Sequence, residues 1–231
     1  MPKPSLSRRA ERTRGKLLAA ARTVFETHGF LEARIVDIAK EAGVAVGSFY
    51  TYFESKEELL GEVAAALFHE LIPPLPADVG PDARARIEAG NRAYVHAYRR
   101  NARILALVQH QTLSDPTLRA LYEGARGAFI ARVERSIRRL QRMGSTPKDV
   151  SARLAAHMLA GMVHEFCYRA FGFEPHVPTP GACLGDLEVE EAVSALTTLW
   201  TRALALKRLN PLRPRRPTKP TRPTTPAQGI P

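Results

Sequence analysis

Several residue types that carry chemistry are scarce in this chain. It has two cysteines in 231 residues, Cys167 and Cys183, in no CxxC or other paired pattern. That argues against a disulfide framework or a thiolate zinc site and fits a reducing compartment, the cytoplasm. No apolar run approaches the ~20 residues needed to cross a bilayer. The N-terminus carries Arg8, Arg9, Arg12 and Arg14 but lacks the apolar stretch and cleavage site of a signal peptide. A soluble intracellular protein without a membrane partner is the expectation. Phosphate-binding glycine loops and the HExxH and GxSxG signatures are missing too. His164-Glu165 stands alone, so no nucleophile can be assembled with its base. His157 and His164 have no Cys or acid at ligand spacing. The chain therefore reads as no enzyme, with neither metal nor cofactor.

Acids are nearly absent from both ends. Net charge is +11. Residues 1–16 hold six Lys/Arg against Glu11, and residues 207–231 hold seven Lys/Arg and no acid, so the intervening chain carries −1. Basic ends around a near-neutral body suit a polyanion, because Lys and Arg displace the counterions condensed on phosphate. From Asn210 onward, seven prolines punctuate Arg, Lys and Thr with few apolar residues, which predicts a disordered basic tail over 210–231.

What is present is helical periodicity, almost without interruption. Leu17, Leu18, Ala21, Val24, Phe25 and His28 form one stripe closed by Gly29. Ile35, Ile38, Ala39 and Ala42 form a second, stopping at Gly43, and Val46–Phe53 is a third short segment. Ser55-Lys56-Glu57-Glu58 is a capping box opening a helix with Leu59, Leu60, Val63, Leu67 and Phe68, ended by Pro73, Pro74 and Pro76. Further helices are expected at about 82–98 and 101–112. Asp115-Pro116 caps one that runs to Met143, and Thr146-Pro147 caps one reaching Phe171. After a Pro/Gly-rich loop at 172–186, the last helix covers about 187–208. There Glu188, Glu190 and Glu191 face the positive end of the dipole, with Lys207 and Arg208 at the other end.

The informative segment is Ile35–Phe53. A helix-turn-helix needs a small residue where its helices touch, a glycine in the turn and apolar residues that lock the second helix. Ala39, Gly43 and the Phe49/Phe53 pair with Ile38 and Val44 supply these. The outer face of the second helix is then Val46, Gly47, Ser48, Tyr50 and Thr51, side chains short or polar enough to approach base edges and phosphates.

Phe30–Leu60, with DIAKEAGVAVGSFYTYFESKEELL at its heart, resembles the DNA-binding domain of the TetR family of repressors. The match covers about residues 10–60. The resemblance implies an all-α fold: a three-helix helix-turn-helix DNA-binding domain (8–54), then a helical ligand-binding and dimerisation domain (55–209, with 55–72 as the connecting helix). It implies a homodimer on palindromic double-stranded operator DNA, released by a small-molecule effector. Carried over, it implies that Gly47 lets the recognition helix lie close to DNA and that Ser48 reads a base. It makes Tyr50 and Tyr52 phosphate-contacting aromatics and Lys56 a phosphate-binding lysine. The chain departs from the pattern at Ala45, where Ser is common, at Val46, where Lys is frequent, and at Arg34, where a capping Thr is usual. Val46 is thereby free to touch a thymine methyl.

For the effector, Tyr94, Tyr98, His110, Met158, Met162 and Phe166 are candidate cavity residues. For the dimer, Leu154, Met158, Gly161 and Met162 with Val193, Leu196, Leu199, Trp200, Ala203 and Leu204 offer wide apolar faces. They serve equally to close the monomer core. The rival classes are an architectural DNA binder driven by its basic ends, without effector, and a helical enzyme.

Overall fold

The computed structural model describes residues 7–72, 82–172 and 188–206, and among them every regular element is helical. The helices are α1 (Arg8–Glu32), α2 (Ile35–Glu41), α3 (Val46–Tyr50), α4 (Lys56–Leu71), α5 (Ala83–Arg100), α6 (Ala102–Gln111), α7 (Pro116–Arg142), α8 (Ala152–Cys167) and α9 (Val189–Ala203). One π-helical turn, Tyr168–Gly172, extends α8. α1–α3 pack as a unit, and α1 also leans on α4 and α6. In the remainder α7 lies along α8, and α5 along α9.

Local signals explain most of these boundaries. Ser7 caps α1, its Oγ accepting from the Ala10 N–H at 3.3 Å. The buried stripe of α1 is Leu17, Ala20, Ala21, Val24 and Phe25. Gly29 adopts φ +73°, breaking the regular helix where the sequence places its end; a side chain there would be strained. Asp115 accepts from the N–H groups of Thr117 and Leu118 at 2.8 and 3.0 Å, with Pro116 following at the first helical position. Ser55 Oγ accepts from the Glu58 N–H at 3.1 Å, while the Glu58 carboxylate accepts from Glu54 N–H at 2.6 Å. The capping box therefore closes one residue earlier than the usual pattern.

Four expectations are corrected. Thr146-Pro147 opens no helix; α8 begins at Ala152 behind Ser151, which makes no side-chain cap bond. The Thr146 hydroxyl is buried and donates to the Leu204 carbonyl, serving the frayed end of α9. Gln141 meanwhile holds the carbonyls of Pro147 and Val150 at 3.1 and 3.0 Å, fixing that stretch as a loop. The third helix is also shorter than Val46–Phe53. It ends at Tyr50, though Phe53 N–H still reaches the Phe49 carbonyl at 3.0 Å. α9 starts at Val189 and stops at Ala203, with Ala205 at φ +43°. Gly172, expected to open the 172–186 loop, closes the π-helical turn instead, while the remainder of that stretch, Lys207, Arg208 and residues 210–231 lie outside the described residues.

Candidate nucleic-acid interface and effector cavity

The turn between α2 and α3 is built from backbone hydrogen bonds. Ala42 N–H reaches Ile38 O (2.9 Å), Gly43 N–H reaches Lys40 O (3.1 Å), and Val44 N–H reaches Ala39 O (3.0 Å). Gly43 sits at φ +66°, the conformation the reversal requires. Ile38 and Ala39 are fully buried, so the helices meet over a small residue. α3 is then locked from beneath. Phe49 and Phe53 are buried with ring centroids 5.8 Å apart, and the Arg14 guanidinium lies 5.3 Å over the Phe53 ring.

Locking one face leaves the other to solvent. Val46 is 41% and Tyr50 58% exposed, and Ala45, Gly47 and Thr51 are exposed beside them. Ser48 and Tyr52 are half-buried. Nothing lies within contact range of a Cβ built on Gly47, so its small size serves no packing inside the protomer. Arg34 holds Asp37 through Nε and Nη2 at 2.9 and 3.3 Å at the start of α2. Lys56 departs from a freely solvated side chain. Its Nζ donates to the carbonyls of Phe30, Leu31 and Ala33 at 3.0–3.2 Å and lies 4.7 Å over the Phe30 ring. It ties the start of α4 to the end of α1. Lys56→Met is expected to lower stability by about 1–3 kcal/mol, as these carbonyls lose a charged donor; the urea midpoint is the check.

α1 is joined to the rest by polar contacts as well. Arg22 pairs with Glu26 at 3.0 Å and Glu70 at 3.9 Å and bonds the buried Asn101, while Arg14 pairs with Glu62. A shift of α4 or α6 is therefore felt by α1.

Behind α4 lies a cavity of about 210 Å³. Its wall includes Leu71, Ile87, Tyr94, Phe129, Val133 and Trp200. A smaller one of about 40 Å³ adjoins it, the two sharing Leu71, Ile72, Tyr94 and Phe129. Of the six candidate cavity residues, only Tyr94 lines either space. Tyr98 is buried against the core with its hydroxyl unpartnered. His110 is exposed and Met158 is 67% exposed. Met162 packs half-buried against the core, and Phe166 packs on Phe171 at 6.4 Å. The reason is helical phase: α8 turns Ala160, Val163 and His164 inward, which carries Met158 outward. Sequence reasoning missed the wall supplied by α7. The signal was there in Phe129, Val133, Ile137 and Leu140, a stripe stepped by four, four and three residues, with Arg132 beside it.

His164 bridges two tyrosines beside the smaller cavity, Nδ1 to Tyr94 Oη at 3.1 Å and Nε2 to Tyr122 Oη at 3.0 Å. A neutral ring donates to one hydroxyl and accepts from the other, whereas an imidazolium would donate to both, since a tyrosine hydroxyl serves in either role. Burial and the nearby Arg126 hold His164 below its ordinary value, despite Glu165. In the unfolded chain it protonates near 6.5. Below that value the unfolded state binds a proton that the folded state refuses, so stability falls as pH drops from about 6.5 toward the lowered folded value. Denaturation at a series of pH values above the carboxylate range should show this loss in the wild type and not in His164→Leu. That variant should itself lose about 1–3 kcal/mol per buried hydroxyl left unpaired. Cys167, also buried here, has its thiol pushed up to about 12 by desolvation and is unreactive.

Residues 17–63 match the sequence model described as "Bacterial regulatory proteins, tetR family". The HTH-type transcriptional regulator EthR of Mycolicibacterium smegmatis is 24% identical over 195 residues, 81% of this chain and 84% of that protein. The HTH-type transcriptional repressor KstR2 of Rhodococcus jostii is 36% identical over 78 residues, 33% of this chain and 38% of that protein. Among solved structures, the fatty acid degradation regulator FadR from Bacillus halodurans superposes with a TM-score of 0.68 at 19% identity. It covers 84% of this chain and 97% of that one. That likeness is one of fold.

Proposed function

This chain belongs to the TetR family of transcriptional regulators, which are DNA-binding proteins and not enzymes, and we propose that it is a cytoplasmic repressor. In this reading a homodimer sits on a palindromic operator and leaves it when a small molecule fills the cavity behind α4. The observation that carries the proposal is the division of α3 into a buried Phe49 and an open Val46–Gly47–Tyr50–Thr51 surface. A helix locked on one side and bare on the other fits the major groove. The helix-turn-helix unit is taken as residues 8–54 and the effector and dimer body as 55–209, with 55–72 connecting them.

Within this reading Val46 touches a thymine methyl, Ser48 donates to a base edge, and Gly47 permits close approach of the backbone. Tyr50, Thr51, Tyr52, Ala45 and Arg34 line the phosphates on either side. Lys56 adds positive charge near them while clamping α4 to α1. Release follows from position: Leu71 and Ile72, at the far end of α4, line the cavity, so a ligand that displaces them moves the helix whose other end carries Ser55 and Lys56.

Selection of binding sites from random DNA with wild type, Val46→Lys and Ser48→Ala tests the assignment. Val46→Lys should raise affinity for DNA in general while blurring one base pair. Ser48→Ala should relax discrimination by about 1–3 kcal/mol at a neighbouring position. Identical selected sequences from all three proteins would refute these reading roles.

A further inference from the structure

The charge pattern of the larger cavity identifies its occupant. Three arginines line it, Arg86 from α5 and Arg132 and Arg139 from α7, and among the described residues no Asp or Glu does so. Arg86 and Arg139 are exposed at the mouth, and Arg132 is half-buried. Arg132 Nη1 donates to the Ile72 carbonyl at 3.2 Å, and burial together with Arg135 depresses its affinity for its proton. Other arginines near the cavity are used differently: Arg92 on α5 is engaged by Glu88 and Glu190, and Arg138 on α7 by Glu134. For Arg86 and Arg139 no ion pair is formed among the described residues.

A second, independent observation comes from deeper in the wall. Trp200 is 7% exposed, and its indole Nε1–H has no hydrogen-bond partner. Buried donors are nearly always satisfied, and an orphan on a cavity wall calls for an acceptor from outside the described residues. The rest of the lining is mostly aliphatic and aromatic, with Ser136 and with Asn91, whose amide donates to Thr197 Oγ1 at 3.3 Å. A cavity of ~150 Å³ holds a benzene, so about 210 Å³ takes an apolar body somewhat larger than six carbons.

Resting on the reading of this cavity as the effector site, we propose that the effector is an amphipathic carboxylate. Its apolar body lies against Ile87, Phe129 and Val133, an acceptor atom carried on that body meets the Trp200 N–H, and its carboxylate meets the guanidinium groups at the mouth. Arginine suits this task because its planar fork matches a carboxylate with two parallel N–H bonds. A cationic amphiphile would face three like charges. A neutral one would fill the apolar volume and gain nothing from the mouth.

Trp200 is the single tryptophan of the chain, so its fluorescence reports occupancy directly. The full-length protein is titrated with octanoate, 1-octanol and octyltrimethylammonium, each at low and high salt, and the loss of specific DNA is followed separately by anisotropy. Octanoate should shift Trp200 emission and bind about tenfold or more tighter than octanol, the size of one charged hydrogen bond. That advantage should shrink with salt, and the cation should bind weakest. In R86Q/R139Q, two exposed positions whose loss leaves the core untouched, the acid-to-alcohol ratio should collapse toward one with octanol affinity unchanged. Octanol equal to octanoate in the wild type, a preferred cation, no binding by any probe, or an undiminished ratio in R86Q/R139Q would each overturn the proposal. Octanoate binding with the predicted preference but without DNA release would leave the ligand class standing and remove the release mechanism. DNA release by octanol as readily as by octanoate would do the reverse.

Discussion

Phe49→Ala is expected to abolish specific DNA binding while most of the helical signal persists. Phe49 is wholly buried and packs against Phe53 with ring centroids 5.8 Å apart and tilted by 46°, which closes the floor beneath α3. Removing a buried phenyl ring costs about 3–5 kcal/mol, part lost transfer energy and part cavity. Whole domains have only about 5–15 kcal/mol to lose. α3 has five residues and no side-chain cap, so its own propensity cannot hold it in place once the ring is gone. Affinity for the operator should fall to that for random DNA, a drop of about 10³-fold or more. Chemical denaturation with anisotropy on the same sample checks both halves of the expectation. Unaltered operator affinity would mean that α3 is not the reading helix.

The second large effect concerns assembly. Leu154 and Met158 on α8 are 55% and 67% exposed, and Leu199 on α9 is 51% exposed. Apolar side chains this open, on two helices near the chain's end, fit an interface between two copies. The other residues first considered for that interface divide differently. Val193, Leu196, Trp200 and Leu204 point into the protomer, and Ala203 stays on the surface with Leu199. Met158→Glu combined with Leu199→Glu should yield monomers in sedimentation while far-UV helicity is kept, because neither side chain belongs to the protomer core. Operator affinity should collapse with the dimer, since each chain then reaches one half-site. A persistent dimer would move the interface elsewhere on the molecule.

What the sequence made legible followed from the locality of each signal. Asp115 and Ser55 cap helices through atoms two or three residues away, and Gly43 needs only its own φ to make the turn. Phe49 and Phe53 announce the buried face of the helix-turn-helix by spacing alone. The misreadings involve partners distant in sequence. Thr146 looked like a helix cap and is instead bonded to Leu204, 58 residues on. The resemblance assigns Lys56 to phosphate, and its hold on carbonyls 23–26 residues earlier leaves no mark in the local sequence. Tyr94 and Tyr98 are one turn apart on the same helix, and only Tyr94 lines a cavity. Cavity membership depends on how α4, α5, α7, α8 and α9 close around a volume, which no single helix records. The arginine-lined mouth could not be read for the same reason, since Arg86 and Arg139 are 53 positions apart.

The most direct test of the whole account is the mass and affinity of the protein–DNA complex. An inverted repeat recovered by site selection, the same repeat with one half scrambled, and random DNA of equal length are compared by sedimentation and anisotropy at two salt concentrations. Two chains, or a multiple of two, should occupy the intact repeat, with half-site centres one helical turn (~34–36 Å) or a multiple apart. Affinity should be about 10³-fold or more above that for random DNA, with the half-scrambled site far weaker. Equal affinity for all three DNAs with the same salt slope would contradict this, and would mark the protein as a binder of DNA charge alone.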